Sequence, residues 1–183
     1  MRVTSGKYKN RRLRCPPGVI RPAMERMRIS VFSILGNLEG MSFLDIFSGS
    51  GIMCAEAASR GASEVCAVEK DFGKKKILAS NLAFIEEKKN VFIMDAFAFL
   101  KKFKGECAYD IVYLDPPFAF AKKTDLLNMA FENAFLKDSS VMVIHYPKED
   151  DKDFENVVSG LETIDIRSYG RSMVRFLRKR CLT

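Results

Sequence analysis

Short apolar runs alternate with amphipathic stretches along most of the chain. The apolar runs are rich in β-branched and aromatic residues, which predicts buried strands, whereas the stretches between them repeat their apolar positions at helical spacing. Alternation of this kind is typical of a parallel sheet covered by helices on both faces, so the pattern predicts a doubly wound α/β fold. The strands are predicted at 43–47, 65–69, 91–94, 110–114 and 140–146, and the helices at 51–60, 72–86, 96–103 and 122–135.

Two regions flank this alternating body. On the N-terminal side, apolar residues from Met24 to Leu38 recur at helical spacing after Pro22, which predicts a helix that docks against the sheet. On the C-terminal side, Glu162–Tyr169 and Ser172–Arg178 predict two further strands. The sheet is therefore expected to contain seven strands.

Composition favours a single α/β domain with a small appendage, because 183 residues with 48% hydrophobic content are enough for one large core. We divide the chain into an N-terminal extension, residues 1–38, and a main domain, residues 39–183. No run of eighteen apolar residues and no apolar leader occurs, so neither membrane insertion nor secretion is expected. The five cysteines are scattered, odd in number and never spaced as C-x-x-C, which indicates a reducing cytoplasm. A monomer is the simplest expectation.

Two isolated residues are assigned no chemistry. Cys54 begins a predicted helix, where a small side chain is expected to serve packing. His145 is the only histidine and lies on a predicted strand, where such a residue is most often structural. No group of metal ligands can be built around it, so no metal ion is expected.

A glycine-rich turn follows the first strand of the main body, in Phe43-Leu-Asp-Ile-Phe-Ser-Gly-Ser-Gly51. Its glycines allow a ligand to approach the backbone, and the N–H groups that open the next helix face that ligand. The third glycine of a dinucleotide motif is absent, because Cys54 occupies its place, and Asp45 adds negative charge that a pyrophosphate would avoid. Both details favour S-adenosylmethionine over NAD. The candidate cofactor-binding residues of this segment are Asp45, Phe47, Ser48, Gly49, Ser50 and Gly51.

Acidic residues end the next two strands. Glu69 lies about twenty residues after the turn, where a carboxylate can accept hydrogen bonds from both ribose hydroxyls. Asp95, with the backbone of Ala96, is the candidate for binding an adenine edge. Each acid has an alternative interpretation as an N-cap of the following helix, and for Asp95 alone the cap is the favoured one.

The fourth strand ends in Asp115-Pro116-Pro117-Phe118. Two prolines cannot continue a strand, and the first restricts Asp115 to an extended conformation. The result is a stiff turn that presents a carboxylate, a backbone carbonyl and an aromatic ring at the edge where open α/β sheets bind ligands. A planar substrate with an amino group suits this turn, so all four residues are the catalytic candidates.

With these motifs the chain resembles the Rossmann-like S-adenosylmethionine-dependent methyltransferases of exocyclic amino groups, whose mark is [Asn/Asp]-Pro-Pro-[Phe/Tyr/Trp]. Within them it is most similar to the RsmD-like 16S rRNA (guanine-N2)-methyltransferase family. The segments 2–13, 21–28 and 170–177 carry that similarity. The chain departs from the family pattern at Tyr8, where Trp is usual, and at Ala23, where Thr is usual.

The resemblance implies methyl transfer to guanine N2 of 16S rRNA in a small-subunit particle, with S-adenosylhomocysteine as product. It also implies that an antiparallel hairpin completes the sheet. Three alternatives stay open: a DNA adenine or cytosine amino methyltransferase, a NAD-dependent oxidoreductase, and a non-catalytic RNA-binding module on the same fold. Nothing in the spacing distinguishes guanine N2 from adenine N6.

The positive charge of the chain is concentrated near its start, which independently favours RNA. Residues 1–30 hold nine Lys or Arg and one acid, a formal charge of +8, whereas residues 31–183 hold 21 basic and 22 acidic residues, a formal charge of −1, within a total of +7. A single-sign block on a neutral domain is typical of phosphate binding, although a solvated basic tail is the alternative. Val3 and Tyr8 interleave with the charges and Gly6 offers a turn, which predicts a short β-hairpin. The candidate RNA-binding residues are Lys7, Tyr8, Lys9, Arg11, Arg12, Arg21 and Arg26.

Overall fold

A computed structural model describes residues 1–15, 22–154 and 160–180. Within these residues the chain forms five α-helices and one seven-stranded sheet, in the alternating order that the sequence predicts. The helices are α1 (Pro22–Leu35), α2 (Ile52–Ser59), α3 (Lys75–Leu82), α4 (Ala96–Lys102) and α5 (Lys123–Glu132). The strands are β1 (Ser42–Ile46), β2 (Glu64–Glu69), β3 (Lys88–Ile93), β4 (Tyr109–Leu114), β5 (Leu136–Pro147), β6 (Leu161–Tyr169) and β7 (Ser172–Lys179).

The sheet has the strand order β3-β2-β1-β4-β5-β7-β6. Strands β1 to β5 are parallel, and β7 runs antiparallel between β5 and β6. The predicted doubly wound, mostly parallel sheet of seven strands is confirmed. The order of the strands reverses between β1 and β4, and in open α/β sheets the crevice at such a reversal is where ligands bind.

Two hydrophobic layers cover the sheet, because alternate residues of each strand face opposite sides. Phe43 of β1 packs on one face with α1, α2 and α3, and Leu44 packs on the other with α4 and α5. Strand β1 is buried along its whole length, as expected of a central parallel strand. None of the described helices is long and apolar enough to cross a bilayer.

Several predicted elements differ in extent, among them β5, which begins at Leu136 rather than at residue 140. The helix predicted at 72–86 is a 3₁₀ turn at Phe72–Lys74 followed by the short helix α3, because Asp71 accepts a hydrogen bond from the Gly73 N–H and fixes a tighter turn there. The apolar spacing continues past Leu82, but Ile85 is buried after the helix has ended. Strand β3 begins at Lys88, earlier than predicted, because it is an edge strand and tolerates polar residues.

The N-terminal segment folds back on itself and joins the core of the main domain. Arg2 and Arg12 form an antiparallel bridge, and the turn between them uses Gly6 at φ +81°. Val3 and Leu13 are buried in the same layer as α1 and α2. This segment, residues 1–15, is called the hairpin below.

One buried carboxylate fastens the hairpin to the domain. Glu56 of α2 is fully buried, and its Oε1 accepts hydrogen bonds from the Thr4 N–H at 2.9 Å and from Arg28 Nε at 2.8 Å. Its Oε2 accepts from the Thr4 hydroxyl at 3.0 Å and also pairs with Arg60. Arg28 is itself 3% exposed, so the Arg28–Glu56 pair is removed from water.

Candidate active site

A cavity of about 880 Å³ opens at the carboxyl ends of the parallel strands. The turn after β1 contributes Phe47 and Gly49 to its wall, and the end of β2 contributes Glu69. The segment after β4, Asp115 to Phe118, lines the same cavity, together with His145 of β5. The structure therefore brings the two motifs into one site, although they lie more than sixty residues apart in sequence.

The glycine-rich turn has an unusual backbone. Phe47 adopts φ +71°, and the N–H groups of Phe47 and Ser48 both donate to the Val68 carbonyl, which holds the turn against β2. A positive φ costs a residue with a side chain about 1–3 kcal/mol, a strain that concentrates at ligand-binding sites. Gly51 follows at φ +80°, where an added Cβ would lie 2.8 Å from Leu78 Cδ1, so close packing against α3 requires glycine here.

Asp45 lies beneath this turn, outside the residues that form the cavity wall. It is 1% exposed, and its Oδ2 accepts a hydrogen bond from the Ser48 hydroxyl at 2.6 Å. Burial, with the negative charge of Asp115 adding to it, raises the pKa of Asp45 to about 7. The neighbouring Cys54 is fully buried, and burial raises the pKa of its thiol above the ordinary value, which suits packing rather than nucleophilic chemistry.

Glu69 is oriented by backbone donors on both of its oxygens. Oε2 accepts from the Gly49 N–H and Oε1 from the Asp71 N–H, each at 2.9 Å. Lys74 Nζ lies 3.5 Å from Oε2. Each carboxylate oxygen has two lone pairs, so both can accept a further hydrogen bond from a ligand in the cavity. The link to Gly49 also ties the end of β2 to the glycine-rich turn.

The turn from Asp115 to Phe120 is held at several points. The Asp115 N–H donates to the Ile46 carbonyl at 3.2 Å, and the Phe120 N–H donates to the Pro117 carbonyl at 2.8 Å. Lys123, which is 5% exposed, donates through Nζ to the carbonyls of Phe118 at 2.7 Å and Phe120 at 2.6 Å. The Phe118 ring remains 39% exposed, so it is free to contact a ligand in the cavity.

Two residues of the cavity wall, His145 and Phe72, were not predicted from the sequence as part of the site. His145 Nδ1 lies 2.7 Å from Asp115 Oδ1, so this residue, expected to have no role, contacts the main catalytic candidate. Phe72 is 74% exposed at the cavity wall although the sequence placed it in a helix. A large exposed aromatic ring beside Glu69 can cover one face of a planar ligand.

Asp95 and Ala96 are not among the residues that line the cavity. Asp95 is the N-cap of α4, where its Oδ1 accepts from the N–H groups of Phe97 and Ala98. These contacts are those of an N-cap, which agrees with the alternative interpretation of Asp95. Adenine binding by Asp95 and Ala96 stays a prediction. Within the described ranges no group of three or more His, Cys, Asp or Glu side chains is arranged to hold a metal ion.

The candidate RNA-binding residues of the N-terminal extension fall into two groups. Lys7 Nζ pairs with Glu86 at 2.8 Å and with Glu87 at 3.0 Å, and the Tyr8 hydroxyl donates to Glu87 Oε2 at 2.8 Å, so these two side chains already have partners within the protein. The others are exposed, and in the part of the chain that the structure describes no acid lies within 4 Å of them. This second group is Lys9, Arg11, Arg12 and Arg26; Arg21 lies outside the described residues.

One end of the hairpin lies beside the glycine-rich turn. The Asn81 side chain bonds to both the N–H and the carbonyl of Arg14, at 2.8 Å each, and donates to the Ser50 carbonyl at 2.9 Å. The Gly6 turn lies at the other end, where the Lys7 N–H donates to the Ser59 carbonyl at the C-terminus of α2. The hairpin thus runs along α2, with Arg14 on the side of the cavity.

Comparison with known proteins relates nearly the whole chain to one family. The model of the family described as "Conserved hypothetical protein 95" matches residues 1–178. The chain is 31% identical over 185 residues to YlbH of Bacillus subtilis (strain 168), covering 98% of this chain and 100% of that protein. It is also 31% identical over 148 residues to "Ribosomal RNA small subunit methyltransferase D" of Escherichia coli (strain K12), covering 79% of this chain and 73% of that protein. The solved structure of yhhF of Escherichia coli matches with a TM-score of 0.87 and 25% identity, over 99% of this chain and 98% of that one.

Proposed function

Because this chain belongs to the Conserved hypothetical protein 95 family and is similar to proteins named as rRNA methyltransferases, we propose that it methylates the exocyclic N2 amino group of a guanine in 16S rRNA. The methyl donor is S-adenosylmethionine. The observation that carries the proposal is the single cavity joining the glycine-rich turn and Glu69 to the turn at Asp115–Phe118. One half of this cavity suits a nucleoside cofactor and the other half suits a planar amine.

The cofactor half has a donor and acceptor set that fits S-adenosylmethionine. Glu69 offers acceptors for two ribose hydroxyls, and Gly49 has no side chain to block close approach. The wall carries the acids Glu69, Asp71 and Asp115 against the cations Lys70 and Lys74. This net negative charge favours a ligand with a positive centre over one with phosphates. When bound, the cofactor supplies an electrophilic methyl group on its sulfonium sulfur. Phe47 and Phe72 provide the apolar walls for its flat base.

The amine half explains how the chain activates a poor nucleophile. The lone pair of an exocyclic guanine amine is delocalised into the ring, so the amine must be pulled towards a tetrahedral geometry. We expect Asp115 and the Pro116 carbonyl to accept hydrogen bonds from its two N–H groups, while Phe118 stacks on the base. The sulfonium sulfur leaves as the neutral thioether of S-adenosylhomocysteine, and the methylated nitrogen, now acidic, passes one proton to Asp115. Otherwise the protein contributes mainly positioning and electrostatic stabilisation.

The hairpin is the proposed contact with RNA. Its exposed cations suit phosphates, and its Arg14 end lies beside the glycine-rich turn, so RNA bound along it would lead to the cavity. We expect the acceptor to be 16S rRNA within a small-subunit particle in the cytoplasm, the enzyme to act as a monomer, and S-adenosylhomocysteine to be released. A guanine that is stacked in a helix must first leave the stack to reach Phe118.

The test is methyl transfer from radiolabelled S-adenosylmethionine to small-subunit particles from cells that lack the protein, followed by nucleoside analysis. We expect label in N2-methylguanosine, and we expect Asp115→Ala to lower kcat by at least about 100-fold, with the affinity for S-adenosylhomocysteine nearly unchanged. Asp125→Ala, which removes an exposed acid on α5 outside the cavity, is the matched control.

Naked 16S rRNA, particles from wild-type cells and duplex DNA are the comparison acceptors. Label in DNA would replace the substrate but keep the chemistry. Label in N6-methyladenosine would overturn the guanine assignment. An Asp115→Ala variant with most of the wild-type kcat would remove Asp115 from the reaction.

A further inference from the structure

The register of two neighbouring strands places the only histidine of the chain against the Asp115 carboxylate. Leu114 pairs with Ile144 across β4 and β5, so Asp115 and His145 are the next residues along each strand. His145 Nδ1 lies 2.7 Å from Asp115 Oδ1, and the His145 side chain is 6% exposed. The contact is therefore set by the sheet rather than by a mobile loop.

The surroundings of the two ring nitrogens indicate which of them carries the proton. A carboxylate only accepts hydrogen bonds, so Nδ1 must be protonated to make a favourable contact at this distance. Nε2 is buried and has no hydrogen-bond partner among the described residues, so a proton on Nε2 would be a buried donor without an acceptor. The neutral ring with its proton on Nδ1 satisfies both conditions.

The same imidazole also contacts Phe118. The two rings meet edge to face, with centroids 5.3 Å apart and an interplanar angle of 68°. One buried side chain therefore touches both the acid and the aromatic ring that are proposed to receive the substrate. Aromatic pairs with this geometry are favourable beyond the area they bury, so the contact helps to fix the Phe118 plane.

We propose that His145 is a positioning residue of the methyl transfer. Its Nδ1–H occupies Oδ1 of Asp115 and stops rotation of the carboxylate, which leaves Oδ2 to accept the hydrogen bond from the amino group. Its ring edge supports Phe118 against the base. This inference rests on the proposed function for the identity of the amine, but the His145–Asp115 contact can be tested without any substrate.

The first test is ¹⁵N NMR of the untagged full-length chain with ¹⁵N-labelled histidine. Because the chain contains one histidine, the imidazole signals belong to His145 alone. We expect a proton on Nδ1 in the wild type, and loss of that preference in Asp115→Ala. A ring protonated on Nε2 alone, or signals that Asp115→Ala leaves unchanged, would overturn the proposal.

The second test compares two substitutions of similar shape. His145→Asn keeps an N–H donor at the position of Nδ1, His145→Leu has none, and both lose the ring contact with Phe118. A hydrogen bond to a charged group predicts a kcat for His145→Leu at least about tenfold below that of His145→Asn. The KM for S-adenosylmethionine should be the same in both, and the urea midpoints of the two variants show whether both fold.

The kinetic and spectroscopic results separate the two proposals. Equal kcat values in the two folded variants would show that the donor is unimportant and would overturn the positioning role. If the wild type transfers no methyl group to any acceptor, the proposed function fails, while the NMR result still decides whether His145 holds Asp115.

Discussion

Truncating Glu56 should loosen the hairpin and destabilise the whole domain. In Glu56→Ala, Arg28 and Arg60 lose their shared carboxylate, and Thr4 loses the acceptor for both its N–H and its hydroxyl. Arg28 is almost fully buried, so water cannot replace the lost partner without opening the structure. The variant thus leaves the buried Arg28 with only the Arg2 carbonyl at 3.1 Å and the Glu25 carboxylate at 4.0 Å as partners, at the junction of the hairpin, α1 and α2.

The expected loss is large compared with the stability of an ordinary domain. Removing one partner of a buried ion pair costs about 3–5 kcal/mol, whereas the whole free energy of unfolding of an ordinary domain is about 5–15 kcal/mol. With a urea m-value of about 2–3 kcal/mol/M, the midpoint of unfolding should fall by about 1–2 M. Glu56→Gln keeps the volume and one acceptor oxygen, so its midpoint should lie between those of the wild type and Glu56→Ala.

The assay is equilibrium urea unfolding followed by far-ultraviolet circular dichroism, with Glu149→Gln as control. Glu149 pairs with Arg171 at 2.7 Å, but both side chains are mostly exposed, so the control should leave the midpoint unchanged. The reasoning is refuted if Glu56→Ala lowers the midpoint no more than the control does. An unchanged m-value would show that the midpoint shift reports stability rather than a change in the unfolded state.

Two further predictions concern pH and salt. The pKa of Asp45 is raised from 3.8 to about 7, so between these pH values the folded state keeps a proton that the unfolded state releases, and the wild type loses up to about 4 kcal/mol of stability as pH rises. The stability of Asp45→Asn relative to the wild type should therefore increase from pH 4 to pH 8. A difference in urea midpoint that does not change with pH would contradict this. Removing Arg11 and Arg12 together as glutamines should weaken RNA binding and reduce the slope of log affinity against log salt by about 2. The matched double variant of Lys7 and Lys9 should have a smaller effect, because Lys7 is already paired, and equal slopes in the two would place the RNA elsewhere.

The sequence predicts the fold, and the place of the two motifs at the carboxyl edge of the sheet, because both depend on local patterns. Strand β1 is apolar throughout and is followed directly by glycines, and β4 ends where Pro116 forbids a strand. Each motif therefore fixes its own place at the carboxyl edge of the sheet. The role of His145 has no local signal, because its contact with Asp115 depends on the pairing of β4 with β5.

Charge counting has a similar limit. The excess of Lys and Arg in residues 1–30 is visible in the sequence, but their partners are not. Arg28 faces Glu56 and Lys7 faces Glu86 and Glu87, so part of the block stabilises the fold. The exposed remainder supports the predicted RNA surface, and only tertiary structure separates these two groups.

Because the turn at Asp115–Phe120 is held in place, the RNA rather than the protein must change conformation when the base binds. Hydrogen bonds from Asp115 and Phe120 and the buried Lys123 leave the protein little freedom to close around an incoming base. A rigid receptor of this kind accepts a nucleotide only after that nucleotide has left its own stack. Selection among acceptors would then depend on how readily each RNA releases its base, so the folding state of the RNA, rather than a moving part of the enzyme, would set the timing of methylation.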